Sequence, residues 1–159
     1  MAMRLRPPRG LALLLGLVAL AACTEPIARP AAARSADELT AVIDISDQQV
    51  EVTRARMSGQ AEVWRWPVST GRPGYATPTG TFRPFLLSKN HRSSLYDDAP
   101  MPWSVFFNGD VAIHGSYEIA DLGQPASHGC VRLHPTHAEH FFRQVQQVGM
   151  ANTVISVVQ

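Results

Sequence analysis

Two histidines and a cysteine fall within one run, Ile113–Leu133, reading IHGSYEIADLGQPASHGCVRL. Cys130 closes the tetrad Ser127-His128-Gly129-Cys130 and precedes Val131-Arg132-Leu133, an apolar run broken only by Arg132. A thiol attacks a carbonyl as thiolate, a form little populated at neutral pH by a free cysteine. An imidazole that takes the proton makes a Cys/His pair the least that cysteine acyl transfer requires. Such pairing is expected to draw the thiol below its free pKa of about 8.5. Gly129 lets the chain turn tightly before the nucleophile, and N–H groups there can face a developing oxyanion. Two bases are available. His128 shares a face with Cys130 on an extended strand, which does not ensure contact. His114 ends a predicted hairpin strand and can approach from a neighbouring one.

The surrounding residues suggest a substrate. Arg132 can clamp a carboxylate, bidentate if geometry allows, or stand as a solvated charge. Ser127 is either a supporting hydroxyl or a turn residue. Met101, Trp103 and Phe106 can line a groove for a peptide or equally belong to the core, the core being favoured for Phe106, and Gly123 reads as a turn. A competing reading uses His114, His128 and Cys130 as a zinc set with an open position. It leaves the Ser-His-Gly-Cys-x-Arg order unexplained, so no metal is expected. His134, His137 and His140 recur every three residues, but that spacing drifts around a helix, and they read as solvated.

The start of the chain reads as an address. Arg4, Arg6 and Arg9 precede an apolar stretch from Leu11 to Leu20. That stretch is too short for a bilayer, which needs about 20 residues, and suits a signal peptide. It ends in Leu20-Ala21-Ala22-Cys23, where small residues before a cysteine resemble a bacterial lipobox. The expected boundaries are 1–22 for a lipoprotein signal peptide, 23–38 for a flexible tether and 39–159 for the catalytic domain. Two or more acyl chains on Cys23 would hold the protein stably on a membrane. The chain has 2 cysteines, and an exported protein could join them. Lipid on Cys23 forbids that bridge and leaves Cys130 a lone thiol in need of a chemical role. With a formal net charge of +1 there is no basic stripe to bind nucleic acid.

Beyond Leu39 the pattern is of short strands. Strands are predicted over 41–45 and 49–53, joined by Ser46-Asp47-Gln48, then over 62–68 with Trp64 and Trp66 on one face. Residues 71–80 read as a long Gly/Pro/Thr loop. A strand over 81–87 contains Pro84, which implies an edge or a bend. Residues 88–102 look irregular. Strands over 104–107 and 111–114 flank the turn Asn108-Gly109-Asp110. One helix is evident: Thr136-x-x-Glu139 has the form of a capping box, and Ala138, Phe141, Phe142, Val145 and Val148 make an apolar face ending at Gly149. A β-branched strand over 154–158 follows. The fold class is mainly β, a sandwich or open barrel of mixed strands with one packed helix.

The His-Gly at 114–115, the gap, and Ser-His-Gly-Cys followed by Arg132 resemble the L,D-transpeptidase (YkuD) catalytic family, as does the turn Thr77-Pro78-Thr79-Gly80. The resemblance covers most of the chain after about Leu39. It implies that Cys130 is the nucleophile and His114 the base, oriented by the Gly115 carbonyl. His128 then lies beside the oxyanion pocket, near Gly129. The implied substrates are peptidoglycan tetrapeptide stems, cleaved before the terminal D-alanine through a thioester, with no cofactor. The acyl group would pass to an amine of another stem or of an envelope protein; with water as acceptor the enzyme would be a carboxypeptidase. The implied place is the periplasmic side of the cell envelope, lipid-anchored to membrane. A catalytically silent wall-binding lipoprotein remains the bland alternative.

Overall fold

A computed structural model describes residues 36–159. The expected leader, Cys23 and all but the end of the tether lie outside the described residues. In chain order the strands are β1 (Glu38–Asp44), β2 (Gln49–Ala55), β3 (Ala61–Pro67), β4 (Gly80–Phe82), β5 (Leu86–Arg92), β6 (Pro100–Asn108), β7 (Val111–Gly115), β8 (Val131–Leu133) and β9 (Thr153–Val158). Helix α1 spans Pro135–Val148. The domain is tied down just ahead of β1, where the Asp37 carboxylate accepts hydrogen bonds from Arg54 at 2.8 Å and from the Met57 N–H at 3.1 Å.

Two mixed sheets result, one ordered β3-β2-β1-β9-β4 and the other β5-β6-β7-β8. Pairs β1–β9 and β7–β8 run parallel, and the other pairs antiparallel. Alternation along the strands makes the core. Leu39, Ala41 and Ile43 of β1, with Ile155 and Val157 of β9, join one cluster with Val105, Phe107, Ile113, Val131 and Leu133 of the second sheet. Helix α1 covers this cluster with Ala138, Phe141, Phe142 and Val145. Each large side chain so buried contributes about 1.5–3 kcal/mol. The fold is therefore mainly β with one packed helix, as the patterning implies.

Three local expectations are corrected. The strand read over 81–87 is two strands in different sheets, β4 and β5, with Pro84 in the crossover between them. Residues 88–92 and 100–102, read as irregular, belong to β5 and β6; their polar side chains lie on a sheet with a solvated face, so alternation there is weak. Thr136 does not cap α1. The cap is His134, whose Nδ1 accepts from the Thr136 N–H at 3.3 Å, while Glu139 pairs with Arg143. The histidines of α1 are not simply solvated either: His137 stacks on Trp66 at 5.1 Å and His140 meets Trp64 edge-on at 4.7 Å.

Candidate active site

The β7–β8 pair sets the site by parity. Ile113 lies opposite Val131, His114 opposite Arg132 and Gly115 opposite Leu133. Because Ile113, Val131 and Leu133 point into the core, His114 and Arg132 must point the other way, and so must Cys130, one residue before β8. Cys130 there packs with Met101, Phe106 and Ala112. These side chains open on a cleft of about 610 Å³ lined by His114, Cys130, His128, Ser127, Arg132 and Met101. A smaller hollow of about 270 Å³, on the side of Phe106 and His91, also reaches Cys130.

The turn carrying Cys130 is held from both sides. Ser127 Oγ donates to the Cys130 carbonyl at 2.6 Å and accepts from the Gly129 N–H at 3.1 Å. Thr77 Oγ1, in the loop between β3 and β4, donates to the Gly129 carbonyl at 2.9 Å and accepts from the Gly71 N–H at 2.8 Å. Gly129 has φ of +115°, which glycine tolerates and other residues rarely adopt. Its N–H is engaged by Ser127, so it does not face the cleft as the sequence suggested.

The two histidines differ in what their lone pairs do. A carbonyl only accepts, so the 2.8 Å contact between His114 Nδ1 and the Gly115 oxygen places the proton on Nδ1 and the lone pair on Nε2. Burial lowers the His114 pKa to about 4; the Gly115 carbonyl opposes that shift, and Arg132 and His91 add to it. His114 is thus neutral at pH 7 and able to accept. His128 differs: its Nε2 lies 2.6 Å from Arg72 Nη2. A guanidinium only donates, so that lone pair is occupied. Its pKa is depressed by desolvation first, then by Arg72 and Arg132.

Cys130 departs from expectation. Burial pushes its thiol upward, although the Ala112 backbone hydrogen bond and Arg132 act in the opposite direction. Its Sγ donates to the Asp110 carbonyl at 3.7 Å. A half-buried thiol that donates to a carbonyl, in a cleft shared with a neutral imidazole, rests uncharged, so desolvation outweighs the pairing that was expected to create thiolate.

Arg132 is only 17% exposed and is already paired, at 2.5 Å with Glu118 and 3.4 Å with Asp121. Trp103 does not line the cleft, contrary to the sequence reading. It has φ of +59°, which reverses the alternation of β6, so Met101 faces the cleft while Trp103 packs on Phe142 of α1 at 5.4 Å. Arg72, Tyr75, Tyr96 and Glu118 were not foreseen as site residues. Tyr96 stacks on His128 at 4.4 Å and Tyr75 meets it edge-on at 4.7 Å. Among the described residues no three His, Cys, Asp or Glu side chains are arranged to hold a metal ion, and the His114–His128–Cys130 set is no exception.

A two-sheet mixed β domain whose parallel β7–β8 pair presents a cysteine and a neutral histidine to one cleft defines a class of thiol-bearing β-sandwich proteins. Within it, the chain belongs to the YkuD family, the L,D-transpeptidase catalytic domain, which it matches over residues 38–156. A search among curated proteins gave no match. Similar solved structures include an L,D-transpeptidase from Mycobacterium smegmatis, at 23% identity and a TM-score of 0.65, covering 77% of this chain and 59% of that one. One from Mycobacterium tuberculosis H37Rv has 22% identity and a TM-score of 0.66, covering 77% and 58%. L,D-transpeptidase 3 from Mycobacterium tuberculosis, in complex with a faropenem-derived adduct, has 21% identity and a TM-score of 0.65, covering 77% and 61%. At such identities the likeness is one of fold, and the chain spans about three fifths of the length of these relatives.

Proposed function

We propose that the domain is a cysteine acyltransferase acting on peptidoglycan tetrapeptide stems. The observation that supports this most is the Nε2 lone pair of neutral His114, without a hydrogen-bond partner among the described residues, in the cleft that Cys130 also lines. Cys130 Sγ attacks the carbonyl joining the diamino acid to the terminal D-alanine, and its proton passes to His114 Nε2 as the C–S bond forms. Because both groups rest neutral, transfer accompanies attack rather than preceding it. Collapse of the tetrahedral intermediate breaks the C–N bond, and the proton on His114 goes to the departing amine. The thioester then yields to an acceptor amine, which restores the thiol. Arg132 binds a stem carboxylate and Met101 lines the groove. Export and lipid attachment at Cys23 would keep the domain beside its substrate at the envelope.

Intact-mass spectrometry of the full chain tests the reading. Wild type incubated with a carbapenem should gain one covalent adduct that Cys130→Ser lacks, because a serine hydroxyl is far harder to deprotonate than a thiol. Tetrapeptide muropeptides should lose D-alanine only when the cysteine is present, and product masses identify the acceptor as stem amine, envelope protein or water. The same spectra of protein matured in a bacterial host should show acyl mass on Cys23. Unchanged turnover by Cys130→Ser, or activity abolished by chelator and restored by zinc, rejects the thioester mechanism.

A further inference from the structure

Arg72 lies well away from Cys130 in sequence, yet it is fastened to the same turn. Its backbone N–H donates to the Ser127 carbonyl at 3.0 Å, and Gly71 bridges to Ser127 in a short parallel pairing. That brings the guanidinium to His128 Nε2 at 2.6 Å while it also lies over the Tyr75 ring at 4.4 Å. The imidazole is gripped on several sides, stacked on Tyr96 with planes 28° apart and met by the edge of Tyr75 at 77°. Since a guanidinium cannot accept a hydrogen bond, the His128 proton must sit on Nδ1. Among the described residues no protein group accepts from that nitrogen. With the Gly129 N–H committed to Ser127, His128 Nδ1–H remains a donor in the cleft that Cys130 also lines.

We infer that Arg72 is a positioning residue that holds His128 neutral, with its proton on Nδ1, as a hydrogen-bond donor to the acyl group bound at Cys130. This rests on the thioester reading above. The two histidines then have opposite tautomers and opposite tasks: His114 accepts through Nε2 and His128 donates through Nδ1. Groups around His128 reinforce the neutral form. Arg72 approaches from the β3–β4 loop and Arg132 from β8, both opposing an imidazolium, while Glu118 on the loop after β7 favours it. Tyr75 and, from the β5–β6 loop, Tyr96 put their rings against the imidazole, and Asp97 beside Tyr96 lines the cleft. Protonation of His128 would set two cations 2.6 Å apart and break the contact.

The test is histidine-selective ¹⁵N NMR on the whole protein, titrated from pH 8 to 4.5, with carbapenem acylation rates over the same range. Wild-type His128 should show the Nδ1–H tautomer and titrate below the ordinary value of about 6.5. Arg72→Met should let the tautomers mix and bring His128 back towards that value. Acylation should then fall about tenfold on the acid side, the scale of one lost charge-assisted hydrogen bond, with partial rescue by Arg72→Lys. Alkylation of Cys130 by iodoacetamide, which needs no donor to an acyl oxygen, should stay within about twofold. An Nε2–H tautomer in wild type, or an unchanged His128 titration in Arg72→Met, overturns the proposal without any variant having to be active. Absence of a carbapenem adduct on wild type would instead overturn the thioester reading, and the role inferred for Arg72 with it.

Discussion

At the scale of single residues, the site holds a carboxylate of its own where a substrate carboxylate is expected. Glu118 is 63% exposed and sits on Arg132, which is 17% exposed, so a stem bound as proposed would have to displace it. Exposed ion pairs of this kind contribute about 0–1 kcal/mol. Glu118→Gln should therefore lower KM for a tetrapeptide stem about two- to fivefold with kcat little changed, as read by steady-state release of D-alanine. A raised KM would show that Glu118 helps to bind substrate rather than competing with it. His114 carries a second expectation. Its folded pKa of about 4 lies below the ordinary 6.5, so between those values the unfolded chain binds the proton and the folded one does not. Stability is full above the ordinary value and falls with decreasing pH through this window, by about 3 kcal/mol in total. Urea unfolding from pH 7.5 to 4 should show wild type losing more stability than His114→Gln; parallel slopes would deny the shift. Residue types alone pointed to Cys130 and left His114 and His128 both open as its base; the choice of His114, with the Gly115 carbonyl behind it, came from the family resemblance. Residue types could not reveal the state of the thiol, since desolvation depends on what packs above it, nor Arg72 and Tyr96, which reach His128 from two separate loops.

Among the elements, the loop between β3 and β4 matters more than its composition suggests. Read as a long loop with a family-like turn at 77–80, it carries Arg72, Tyr75 and Thr77, and it is pinned to the cysteine turn through Thr77 and Ser127. Gly71 is glycine because of close approach: a Cβ there would lie 1.8 Å from the Tyr75 carbonyl oxygen. Gly71→Ala should thus push out the Arg72–Thr77 segment and loosen the hold on Gly129. Acylation is expected to drop by roughly a hundredfold or more, the scale of a displaced catalytic geometry, while far-UV circular dichroism stays native. Native acylation by the variant would mean that the loop does not set the site. Helix α1 and strands β1 to β3 were legible because each buries one face in a regular period. β4 and β5 were not, since Pro84 marks a departure from one sheet but gives no sign that the next strand joins the other. For Trp103 groove and core were both open, because it preceded the predicted strand and nothing in the pattern showed the positive φ that turns it toward α1.

Taken as a whole molecule, the domain closes its first sheet with its last strand. β9 runs parallel to β1 on one side and antiparallel to β4 on the other, and its six residues are the seam between them. Without β9, β4 has no neighbour in that sheet, and Leu39, Ala41 and Ile43 lack the partners that complete their layer. Contacts of such long sequence separation form late, because loop closure must come before any packing gain. Many domains begin to fold from the N-terminal end while still being synthesised; this one cannot complete its first sheet until β9 is free to pair. The position of β9 thus works as a timer for the first sheet. Until residues 153–158 pair, β1 and β4 keep open edges, and the sheet locks into shape when that segment arrives.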